Sequence, residues 1–80
     1  MNTNYTITIA SDAEHEKVYA EIHCRGKFVA LVNQENGFDR LKIEFPPAGL
    51  DEAMIVRVVD MEGFQQALIS AAKELCGGKA

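Results

Sequence analysis

The sequence predicts an α+β domain: a two-layer, antiparallel, four- to five-stranded meander sheet with one C-terminal helix packed on one face. Three observations carry this. The stretch from Val18 to Phe45 divides into three β-rich runs joined by two short turns, Cys24-Arg25-Gly26 and Asn36-Gly37. Ahead of it, Tyr5, Ile7 and Ile9 alternate with Thr6 and Thr8. At the far end, Met61, Phe64, Ala67, Leu68, Ala71, Ala72 and Leu75 recur at helical spacing.

Taken in order, Tyr5–Ala10 is a half-buried strand of good β-formers, one face apolar and the other threonine. Residues 11–17, Ser-Asp-Ala-Glu-His-Glu-Lys, form a polar connection, with Ser11 or Asp12 able to cap a single helical turn. In the run from Val18 to Cys24 the even positions are apolar. From Leu41 to Phe45 the odd positions are. The run from Lys27 to Gln34 is apolar on both parities, so the turns must decide which side faces inward.

Asn-Gly favours a two-residue type I′ loop, which sets Val32 against Leu41, Ala30 against Ile43 and Phe28 against Phe45. A two-residue loop at Arg25-Gly26 would then set Ile22 against Val29, on the wrong face. A three-residue loop at Cys24-Arg25-Gly26 sets Ile22 against Phe28 and Ala20 against Ala30, and restores the face. Pro46-Pro47 ends the fourth strand. Ala53–Val59 is rich in β-branched residues and reads as a fifth strand. Asp60 is the expected N-cap of a helix from Met61 to Leu75, and Gly77 its C-cap. The whole chain, 1–80, reads as a single domain with loose ends at 1–4 and 77–80.

Composition bounds the function. The chain has 80 residues, 48% hydrophobic and 25% charged, with a net charge of −4. That is ordinary globular material and a poor match to general nucleic-acid binders. No signal peptide is apparent and no apolar run approaches a membrane span. A soluble, cytoplasmic protein is expected, with Cys24 and Cys76 reduced. No paired Cys or His spacing suits zinc and no loop has the acidic spacing of a calcium site, so no metal or cofactor is assigned. His15, His23 and Cys24 are the residues closest to a base or nucleophile. His23 and Cys24 are neighbours on a strand and point to opposite faces. No nucleophile, base and orienting group converge, so no catalytic residue is assigned and a non-enzymatic protein is expected.

One helix covers one face of a sheet, which leaves the other for water or a partner. That second face is expected to carry Thr6, Thr8, Tyr19, Glu21, His23, Val29, Leu31, Asn33, Arg40, Lys42 and Glu44, with Arg57 joining it. Its candidate partner-binding residues are Tyr19, His23, Val29, Leu31, Arg40, Lys42 and Arg57: an apolar centre rimmed by aromatic and basic side chains. The expected function is a small protein-interaction domain, acting on another protein or as a homodimer through this face. Small acidic inhibitors, immunity proteins, antitoxins and anti-defence proteins of phages share its size and charge. The alternative is a nucleic-acid or nucleotide-binding module using the basic and aromatic members of the same face. Gly77-Gly78 resembles the end of ubiquitin-like and sulfur-carrier proteins in those two residues alone. Lys79 and Ala80 follow them and a helix precedes them, so they read as a helix cap and tail.

Overall fold

A computed structural model describes residues 4–77 of the chain. Four strands, β1 (Tyr5–Ala10), β2 (Tyr19–Cys24), β3 (Lys27–Asn33) and β4 (Lys42–Glu44), form one antiparallel sheet in the order β1-β2-β3-β4. One helix, α1 (Met61–Gly77), follows the sheet. This is the predicted α+β meander, with four strands. The helix packs chiefly on β1 and β2 and only lightly on β3. Ala67, Ala71 and Leu75 of its stripe meet Ala20, Ile22, Val29, Ala30 and Val32 in the buried core. Small alanines at the contact let helix and sheet approach closely.

Asp60 caps α1 as expected: Gly63 N–H donates to its Oδ2 at 2.6 Å. Tyr5 Oη also donates to Asp60, at 3.4 Å, which pins the helix start at one end of β1. Met61 is therefore not part of the buried stripe. It sits in the first turn and is exposed. Of the ends expected to be loose, Asn4 is held through its carbonyl by Arg25 N–H at 3.0 Å, and Gly77 is still helical. Residues 1–3 and 78–80, Gly78 among them, lie outside the described residues.

Both hairpins keep the predicted parity but differ in register by two residues. The first turn has two residues, Arg25 and Gly26, at φ 55° and 83°, and Cys24 pairs with Lys27. Two successive positive φ values mark a primed turn, which matches strand twist better than the three-residue loop. The face is restored one step later, inside the strand. His23 pairs with Phe28 but Ile22 pairs with Ala30, so Val29 is an extra residue, a β-bulge. Beyond it Ala20 pairs with Val32.

The bulge exchanges two side chains. Phe28, expected inside, packs its ring on His23 on the face away from the helix, with centroids 5.7 Å apart. Val29, expected outside, is 4% exposed and belongs to the core.

Asn36-Gly37 does not form the tight two-residue loop. Gly37 N–H bonds to Gln34 carbonyl at 3.0 Å, and a 3-10 turn over Phe38–Arg40 follows, so residues 34–41 make a longer connection. Only Gly37 has positive φ there (98°, with ψ 170°), a conformation closed to side-chain-bearing residues. Val32 consequently faces Ile43 instead of Leu41.

The fifth strand is absent. Asp51 caps a 3-10 turn over Glu52–Met54 by accepting from Ala53 N–H at 3.0 Å. After that turn Ile55 alone bridges to Phe28, in parallel sense, with Val56 N–H donating to Phe28 carbonyl at 3.0 Å. The bulge interrupts the ladder on that edge and leaves room for one bridge.

Candidate functional site

The seven residues expected to form one partner-binding surface do not come together. His23, Leu31 and Lys42 share the face away from the helix. His23 and Leu31 are half-buried and Lys42 is exposed. Val29 is removed from that face by the bulge. Tyr19 has the expected orientation but is buried. Arg40 lies exposed in the 3-10 turn before β4. Arg57 is far from a basic patch: its Nε and Nη2 donate to both carboxylate oxygens of Glu52 at 2.7 and 2.8 Å. This bidentate pair holds the Glu52 carboxyl below its ordinary range and raises the guanidinium further.

What buries Tyr19 is the loop of residues 11–17, which folds over one end of this face. Asp12 shapes it by accepting from Glu14 N–H (2.9 Å) and His15 N–H (3.0 Å). That is a local turn made by the aspartate side chain, in place of the helical turn considered above. The loop presents His15, whose ring packs at a tilt of 49° against Tyr19, with centroids 4.6 Å apart. The His15 side chain is 9% exposed. Its Nδ1 meets Asp12 Oδ1 at 2.8 Å and its Nε2 meets Glu44 Oε2 at 2.8 Å.

Tyr19 Oη donates to the other Asp12 oxygen at 3.0 Å, and Asn33 Nδ2 donates to Glu44 Oε2. Glu35 accepts from Glu16 and Lys17 N–H at 3.1 and 2.9 Å, and Gln34 Nε2 donates to Val18 carbonyl at 2.9 Å. The long 34–41 connection thus has a use: Gln34 and Glu35 hold the neighbouring loop down.

The charges in this network follow from the contacts. Hydrogen bonds to Asp12 and then Glu44 raise the His15 pKa to about 9, against a smaller opposing effect of burial. The same bonds hold the Asp12 and Glu44 carboxyls below their ordinary values. Burial, then the bond to Asp12, raises the Tyr19 phenol. A doubly paired imidazolium with both nitrogens donating is neither a general base nor a ligand with a free lone pair. The arrangement is a latch between β1–β2 loop, β2, β3 and β4. Among the described residues, no group of three or more His, Cys, Asp or Glu is placed to hold a metal ion. Cys24 and Cys76 are unbonded.

A second region escaped the sequence reading. On the helix side, the segment after β4 crosses beside Val29 and leaves a cleft of about 260 Å³. Val29, Phe45, Pro46, Val56, Arg57, Val59 and Phe64 line it. Phe45 is 65% exposed and Val58 88%. Met54, Met61 and Leu50 of the same stretch are exposed as well. The signal was present in residues 53–59, which are apolar on both parities. A segment with two apolar sides and a single bridge to the sheet must leave part of itself in water.

No helix among the described residues is long and apolar enough to cross a membrane. Comparison with protein families, with curated proteins and with solved structures finds no match to the chain.

Proposed function

We propose that this chain is a small non-enzymatic protein-interaction domain that receives another protein chain on the apolar surface around the Val29–Phe45–Phe64 cleft. The observation that carries the reading is the exposure of Phe45 on the wall of an open, mostly apolar cleft in a small acidic domain, with Val58 exposed between two of the lining residues. Clustered exposed apolar side chains around a concavity are the composition of an interface centre. Scattered surface aliphatics would need no such explanation. Inhibitory or immunity-like action fits the size and charge. The nucleic-acid alternative is less favoured, since Arg57 is paired with Glu52 and Tyr19 is buried.

The test compares wild type with a Phe45→Ser/Val58→Ser variant, each immobilised and exposed to extract of the source cells. The variant's circular dichroism should match wild type, since neither side chain is in the core. Wild type is expected to retain a specific protein that the variant loses. Equal retention, or none by either protein, would overturn the reading.

A further inference from the structure

The outer edge of β4 offers a more specific surface, and it narrows the interaction reading on which it rests. β4 is the last strand of the sheet, and no strand flanks its outer side among the described residues. Its three residues are Lys42, Ile43 and Glu44. Ile43 faces the helix side, opposite Val32, while Lys42 and Glu44 face the other way, opposite Asn33 and Leu31. The helix lies over β1 and β2, so it leaves the helix side of β4 open. Accordingly Ile43 is 41% exposed, and Phe45 beyond it more so.

An edge strand of this kind pairs with whatever strand complements it. The order cation, apolar, anion is its own antiparallel complement. With a two-fold axis at Ile43, Lys42 of each copy lies opposite Glu44 of the other. Ile43 lies opposite Ile43, and Leu41 opposite Phe45 of the second copy. An axis at Lys42 or at Glu44 would oppose like charges, and a shift by one residue would put apolar and charged faces together. One register therefore satisfies charge and burial at once. Its two-fold symmetry closes the interface and uses one patch twice.

We infer that two copies of this chain join through antiparallel β4–β4 pairing centred on Ile43. The product is a continuous eight-stranded sheet with the two helices on the same side. The opposite edge makes the contrast. β1 is six residues long and uncharged, so it has no preferred register with itself, and it carries the helix.

The test is solution mass by light scattering over a wide concentration range, on wild type, Lys42→Glu and Thr8→Glu. Lys42 and Thr8 are both exposed, so both variants should fold. Wild type is expected at twice the 8.8 kDa chain mass. Lys42→Glu places two like-charge pairs in the interface and is expected to raise the dissociation constant by about tenfold or more, while Thr8→Glu leaves it unchanged. A monomeric wild type, a dimer indifferent to Lys42→Glu, or one weakened by Thr8→Glu would each overturn the inference. A monomer that still retains a Phe45-dependent partner would end this pairing and leave the interaction reading standing.

Discussion

The two faces of the sheet are closed by different physics. On one, α1 buries alanine and leucine against Ala20, Ile22, Val29, Ala30 and Val32, and the contact is almost wholly apolar. On the other, a polar loop is held by an imidazolium between two carboxylates, a tyrosine hydroxyl and a row of backbone-to-side-chain bonds. The first closure contains no ionisable side chain in its buried cluster. The second depends on three ionisation states at once. The apolar face supplies most of the buried core, and the polar face supplies a closure made of ionisable groups.

Charge insertion on the two sides of β3 should separate them most strongly. Val29→Glu places a carboxylate in the core and is expected to cost about 4 kcal/mol or more, or to prevent folding. Leu31→Glu, two residues on and half-buried on the loop-covered face, should cost about 1 kcal/mol. Urea unfolding of both variants measures the difference. Equal losses would mean that the bulge does not exchange the two sides.

A smaller effect is expected where the helix is anchored. Asp60→Ala removes the N-cap and should cost about 1 kcal/mol by the same measurement. The loss should not vary with pH between 6 and 9, because the imidazole latch is untouched.

The effect most diagnostic of the polar face is a pH dependence. The folded-state pKa of His15 is raised to about 9, above its ordinary 6.5. Its contribution is therefore complete below about pH 6.5 and is lost as pH rises through about 9. Asp12 and Glu44 are lowered, so their contribution is present above the ordinary carboxylate range and is lost as pH falls below it. The latch is strongest in the window between. Melting temperature across pH 5 to 10 should decline above about pH 7 in wild type and should flatten in His15→Gln. Parallel curves for the two proteins would show that the imidazole is not a stabilising cation.

Most of the architecture was legible in the chain, for reasons visible residue by residue. Parity in β1, β2 and β4, the Asp60 cap and the Ala67–Ala71–Leu75 stripe are local signals, and each was realised. Register was not legible to the same depth. Arg25-Gly26 and a three-residue loop are close alternatives as turns, and the choice fell to a bulge that no single residue announces. Gln34 and Glu35 looked like strand end and turn. Their acceptors and donors were recruited by a loop almost twenty residues earlier, a contact that period and propensity do not encode. His15 was considered only as a base, and its place between two carboxylates was not legible, since Glu44 lies 29 residues further on in β4.

The order of the elements along the chain bears on how the protein comes to exist. Every strand pairs with its neighbour in sequence, and a hairpin forms in about 1–10 μs once its residues are free. The helix that covers Ala20 and Ile22 comes last. Translation of the 33 residues from Phe45 to Gly77 takes about 2–7 s at cellular speeds. Until α1 is made, Ala20 and Ile22 have no apolar layer to pack on, whereas every contact of the loop latch lies at or before Glu44. The latch closes the opposite face of the sheet, so the aliphatic face waits for α1 alone.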